Sequence, residues 1–166
     1  MTTRIYGGFY RRFFAFTLDN VIIYILSFVV LLIGTSVLGA TSAHQAFRSA
    51  GGGLLAAAFR FALLFNLLHL FMSMVYFTYF IGLIGKTPGK MIFGLRVIRD
   101  SGESLTFGTA FLRWIGYFLS SLPLYLGFIW IAFDRKKQGF HDKLAQTVVI
   151  LDETRKDGET PPAFQP

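Results

Sequence analysis

The sequence predicts an all-α integral membrane protein: two long transmembrane helices, a shorter re-entrant or kinked helical hairpin, and a small cytoplasmic strand pair. Three observations carry that expectation. The 166 residues are 54% hydrophobic, include 20 Phe and have a mean hydropathy of +0.55, too apolar for an ordinary soluble domain of this length. Two apolar runs, about Phe13 to Leu38 and about Leu54 to Ile84, each exceed the roughly 20 residues a helix needs to cross a bilayer. Lys and Arg sit between and beside the apolar runs, as membrane topology places them. A net charge of +7 would also suit nucleic acid, but the basic residues form no domain of their own, so no nucleic-acid partner is expected. With no Cys, disulfides and thiolate metal sites are excluded. The first run is too long for a signal peptide and lacks a small-x-small cleavage site, so it is expected to stay in the protein.

The basic start, with Arg4, Arg11 and Arg12, is expected to hold the N-terminus in the cytoplasm. In the first helix Asp19 falls about six residues, roughly 9 Å, inside the cytoplasmic boundary. Seven residues bring a helix nearly back to the same azimuth, so Arg12 and Asp19 share one face about 10 Å apart. They are aligned but too distant to pair easily, and a third group is expected to complete the site. An ionisable group at that depth is either a functional centre or a buried polar staple for helix packing.

Gly39 to Gly53 has the composition of a flexible outer loop or a short surface helix. In the second run, Asn66, His69, Ser73 and Tyr76 fall at i, i+3, i+7 and i+10, a polar stripe suited to interhelical hydrogen bonding or a proton route. Tyr76 to Tyr79 are expected near the depth of Asp19, within hydrogen-bonding reach. Gly85-Lys86-Thr87-Pro88-Gly89-Lys90 resembles a phosphate loop only superficially, because the required earlier Gly is Phe80. It is read instead as a tight exit turn with Lys86 and Lys90 at the lipid headgroups.

Gly94 to Asp100 and Thr147 to Leu151 alternate like strands and are expected to pair on one side of the membrane. Between them, Phe107 to Phe133 is interrupted by Arg113 and Pro123. Basic clusters on both flanks favour a hairpin over a single kinked span. Its first arm carries Thr106, Thr109, Arg113, Tyr117 and Ser120 along one side, and its second runs from Leu124 to Phe133. Asp142, or Asp134, is the expected third partner of Arg12. Arg135, Lys136 and Lys137 extend the basic face toward lipid headgroups. His141-Asp142 alone is too little for a metal-dependent hydrolase, so neither metal, cofactor nor catalysis is expected. Residues 1–151 form one membrane domain, and 152–166 reads as a disordered cytoplasmic tail.

The Arg12-x6-Asp19 opening, Gly85-Lys86-Thr87-Pro88-Gly89-Lys90, Gly94-Leu95-Arg96-Val97, and Phe133-Asp134-Arg135 with His141-Asp142-Lys143-Leu144-Ala145-x-Thr147-Val148-Val149 together resemble the RDD family of bacterial membrane proteins. The resemblance covers about residues 7 to 151. It places the eponymous Arg and two Asp at Arg12, Asp19 and most naturally Asp142, with Asp134 also in a family-like context. It implies the bacterial cytoplasmic (inner) membrane, with both termini cytoplasmic. Members of that family are proposed to transport unknown ligands, and some are described as sodium/proton antiporters. Here that implies transport of a monovalent cation or small ligand by a homo-oligomer, with Asp19 protonatable and Arg12 tuning it. The competing expectation is a non-transporting interaction or scaffold module. Its basic cytoplasmic face would bind anionic membrane lipids or a partner protein.

Overall fold

The computed structural model describes residues 5–49, 54–121 and 126–152. Pro123, the Gly51–Gly53 run and nearly all of the expected tail, 153–166, lie outside them. Eight elements follow in order: α1 (Phe9–Ser49), α2 (Leu54–Ile84), α3 (Pro88–Ile92), β1 (Leu95–Arg99), α4 (Phe107–Ser121), α5 (Leu126–Phe133), α6 (Phe140–Leu144) and β2 (Thr147–Leu151). The chain is mostly helical, and two helices are long and apolar enough to cross a membrane, over Phe9–Ser36 and Ala58–Ile84.

α1 runs through Gly39 to Ser49 without a break, so most of the expected outer loop is helix. Ala43, Gln45 and Ala46 favour helix, and extending an existing helix avoids the cost of a new nucleus. Along α1 the buried positions are Arg12, Ala15, Asp19, Ile23 and Ser27, spaced by three and then by fours. That spacing marks one helix face. Between them Phe13, Phe14, Tyr24 and Ile25 are exposed, a helix with its polar groups inward and its apolar ones outward.

The chain divides into two compact units, residues 20–76 in one and residues 1–19 with 77–166 in the other. In the first unit, Tyr24 of α1 stacks on His69 of α2 with ring centroids 4.0 Å apart, and on Phe65 at 6.1 Å.

The second unit holds the remaining elements. β1 and β2 pair antiparallel, from Leu95 opposite Leu151 to Arg99 opposite Thr147, and Tyr6 bridges to Ile150. Leu95 and Val97 of β1 and Val148 and Val149 of β2 are wholly buried. Gly85, at a left-handed φ of 68°, turns the chain out of α2 and accepts from the Val97 N–H at 2.8 Å. The expected exit turn therefore exists, but it leads straight into the one-turn helix α3, with Thr87 as its N-cap and Pro88 at its first position.

The segment 107–133 forms two helices whose axes differ by 100°. α4 has 15 residues, about 22 Å, short of the roughly 30 Å hydrocarbon thickness. Two glycines let its neighbours approach closely. A Cβ at Gly116 would sit 2.6 Å from the His141 Cα, and one at Gly127 would sit 2.6 Å from the Ser120 Cα. α6 was not expected from sequence.

Candidate functional site

The local structure of α6 aims Asp142 inward. As the third residue of a one-turn helix capped at Gly139, Asp142 turns its side chain back to accept from the Gly139 N–H at 3.0 Å on Oδ2. The same oxygen accepts from Arg12 Nη1 at 2.6 Å, and Oδ1 faces Arg113 Nη2 at 2.5 Å. Two guanidiniums from α1 and α4 thus clasp one carboxylate from α6, all three groups at least nine-tenths buried. Their other donors reach further into the fold. Arg12 Nη2 donates to the Val149 carbonyl at 3.1 Å, while Arg113 donates to Thr147 Oγ1 at 2.7 Å and Tyr117 Oη at 3.3 Å.

Burial alone would raise the pKa of Asp142, but Arg113, Arg12 and the Gly139 N–H hold it well below the usual carboxylate range. His141, beside it, is also buried, its ring lying 4.8 Å from that of Tyr117 and 4.9 Å from that of Phe128. Burial, aided by Arg113, Arg12 and Lys90, pushes its pKa down to about 3 against the pull of Asp142. His141 is therefore neutral at physiological pH. Ser120 Oγ accepts from the His141 N–H at 3.2 Å and also lies 3.2 Å from the ring Nδ1. The ring's Nε2 lies 3.5 Å from Asp142 Oδ1, so a ring proton carried on Nε2 faces the carboxylate. The cluster of two arginines, one aspartate and a neutral histidine carries one excess positive charge.

Asp19 occupies a second centre. Its Oδ2 accepts from Thr87 Oγ1 at 2.5 Å and its Oδ1 from the Gly89 N–H at 2.8 Å, with Lys90 Nζ at 4.0 Å. Thr87 Oγ1 also accepts from the Lys90 N–H at 3.3 Å, so a single hydroxyl caps α3 and ties it to α1. A side chain at position 89 would collide with the Ala15 carbonyl and with Asp19 Oδ1, the latter at 2.7 Å. Glycine is required there by close approach.

Among the residues singled out from sequence, Arg12 meets Asp142. Asp134 does not supply that partner, because it pairs with Lys143 at 2.7 Å and accepts from the N–H groups of Lys136 and Gln138. Burial opposes ionisation of Asp134, but these donors lower its pKa. Lys90 is a correction, since it is buried beside Asp19 and 5.7 Å from the Phe77 ring centroid rather than at a headgroup surface. Lys86 pairs with Asp152, Lys136 with Asp100, and Lys137 donates to the Ala132 carbonyl. Arg135 is exposed.

The polar stripe divides in character. Asn66 is exposed and donates back to the Ala62 carbonyl, and Ser73 to the Leu70 carbonyl, while His69 stacks on Tyr24 and Tyr76 is buried. Arg113, Thr87 and Gly89 were the residues sequence reasoning undervalued. An arginine within an apolar segment carries the same signal as Arg12, a charge that burial must satisfy.

A sequence profile of the RDD family matches residues 6–146. The chain belongs to the RDD family. This RDD protein is 33% identical over 150 residues to the uncharacterized protein YxaI of Bacillus subtilis (strain 168), across 87% of this chain and 96% of that one. It is 29% identical over 152 residues to the uncharacterized membrane protein YteJ of the same organism, across 90% of this chain and 84% of YteJ. A shorter likeness, 29% over 70 residues, joins 42% of this RDD chain to 29% of a proline-rich antigen homolog of Mycobacterium tuberculosis (strain CDC 1551 / Oshkosh). No solved structure matches the chain significantly. The RDD protein is a membrane protein with two helices long enough to span.

Proposed function

We propose that this RDD protein is a non-transporting membrane interaction module, in which the buried charges are structural and hold a basic surface in place for anionic lipid or a partner protein. One observation carries this reading: both carboxylates are already engaged, Asp19 by the Thr87 hydroxyl at 2.5 Å and the Gly89 N–H at 2.8 Å, and Asp142 by a hydrogen bond from Arg12 at 2.6 Å and an ion pair with Arg113 at 2.5 Å. A bound sodium ion needs oxygen ligands, whereas these carboxylates face guanidiniums, a hydroxyl proton and a backbone N–H. The module sits in the bacterial cytoplasmic membrane with both ends cytoplasmic, the side that basic flanking residues select. No residue is assigned a catalytic role.

A second reading, transport of a cation or small ligand by a homo-oligomer, draws on residues 20–76. There Ser27 Oγ and His69 Nδ1 are buried without a hydrogen-bond partner among the described residues. An unsatisfied buried polar atom costs about 1–3 kcal/mol, and a transported ligand would offset it.

Vesicles containing the purified protein and a pH-sensitive dye separate the two. No proton movement in response to a sodium gradient is expected. Sodium-coupled proton flux that disappears in a folded Asp19→Asn variant would overturn the structural reading.

A further inference from the structure

Resting on the interaction-module reading, we infer that α4, α5 and α6 form an in-plane membrane anchor whose basic rim selects anionic lipid headgroups. The polarity of α4 is inverted relative to a helix of a soluble protein. Thr109, Arg113, Tyr117 and Ser120 are buried, while Phe111, Leu112, Phe118 and Leu119 are exposed at positions seven apart, along one stripe. A helix with polar groups inward and large apolar ones outward requires an apolar medium around it. At 15 residues it is too short to cross one, so the half-depth of a single leaflet suits it.

The next two elements carry the same surface to a charged edge. Trp130, Phe133 and Phe140 are 46%, 80% and 42% exposed, an aromatic group of the kind that settles at the membrane–water boundary. Trp130 and Phe140 lie 5.9 Å apart by ring centroid, and Lys143 Nζ sits 5.4 Å above the Trp130 ring. Lys143 and Lys136 hold Asp134 and Asp100 on exposed or half-exposed surface, whereas Arg135 takes no acidic partner among the described residues. Four cations, Arg135, Lys136, Lys137 and Lys143, therefore stand against two local carboxylates at the rim of an aromatic patch. That combination fits phosphate headgroups above acyl chains, and it fits a protein surface less well because so much apolar area faces outward on α4.

The chain has two tryptophans, Trp114 and Trp130, so Trp114→Phe leaves Trp130 as a single reporter. The Trp114→Phe protein, all 166 residues, is reconstituted in mixed phosphatidylcholine and phosphatidylglycerol vesicles, with bromine on the acyl chains of one lipid or the other at equal mole fraction. Brominated phosphatidylglycerol is expected to quench Trp130 at least about twofold more than brominated phosphatidylcholine. Arg135→Gln/Lys136→Gln/Lys143→Gln, which leaves the buried cluster intact, should equalise the two while retaining quenching. Equal quenching in the unaltered rim would overturn headgroup selection. Absence of quenching by either lipid would overturn the anchor and assign the face to a protein partner or a second copy. Sodium-driven proton flux measured on the same vesicles would count against the non-transporting reading, while leaving the quenching result to decide the anchor.

Discussion

Arg12 and Asp142 meet at 2.6 Å across 130 residues of chain, so the first membrane helix is fastened to the last turn before β2. Removing the carboxylate leaves two buried guanidiniums uncompensated, a change expected to cost about 3–5 kcal/mol. Asp142→Ala should unfold at much lower temperature in detergent. Asp134→Ala, which loses a rim pair with Lys143 and the bonds it accepts from the Lys136 and Gln138 N–H groups, should cost less, about 1–2 kcal/mol. Equal effects would remove Asp142 from its central place.

The excess positive charge gives an asymmetric expectation. Arg113→Met leaves Arg12 and Asp142 as a balanced pair, so it should be less damaging than Asp142→Ala despite losing the bonds to Thr147 and Tyr117. Denaturant unfolding of the two variants under identical conditions checks the order.

Glycine substitutions discriminate close approach from open surface. Gly89→Ala drives a methyl group into the Ala15 carbonyl and the Asp19 carboxylate, and should cost about 1–3 kcal/mol. Gly8, with nothing within 4 Å of a built Cβ, should accept Ala with little change. Thermal midpoints of both variants test the contrast.

Acid sensitivity should begin earlier than carboxylates alone would set it. The ordinary pKa of His141, near 6.5, falls to about 3 in the fold, so the unfolded chain binds more protons between those values. Stability present above pH 6.5 is lost progressively as pH falls through that window, amounting to about 2 kcal/mol by pH 5. A His141→Gln variant should lose the slope between pH 7 and pH 5 even if its stability is lower throughout. An unchanged slope would show that His141 is not buried neutral.

Much of this fold was legible because membranes impose simple rules. The α2 boundaries followed from apolar length, and the strands followed from alternation plus the need to pair. The geometry of a helix showed that Arg12 and Asp19 were too far apart to satisfy each other, which called for a third group, Asp142 or Asp134, and the fold supplies Asp142. What stayed hidden was partner choice across the fold. Asp19 is held by Thr87 and Gly89, whose role depends on a one-turn helix delivered from 68 to 70 residues away, and no local periodicity announces that. Lys90 looked like a headgroup residue because the turn around it reads as surface. α6 was missed because five residues, three of them His141, Asp142 and Lys143, show no apolar period. Arg113 was placed on the polar side of its helix, but its clasp on Asp142 required knowing where α6 returns.

The clasp on Asp142 also sets a clock for biosynthesis. At about 5–20 residues per second, the ribosome needs roughly 6 to 26 s to make the 130 residues separating Arg12 from Asp142. Asp19 meets Thr87 and Gly89 a little past the middle of that interval, so the nascent chain gains one anchorage midway and the other only when Asp142 is made. Throughout the interval Arg12 waits near the membrane without Asp142. An unfinished chain therefore advertises itself by a bare guanidinium, and synthesis arrested before Asp142 should yield a product that membrane proteases clear faster than the finished one.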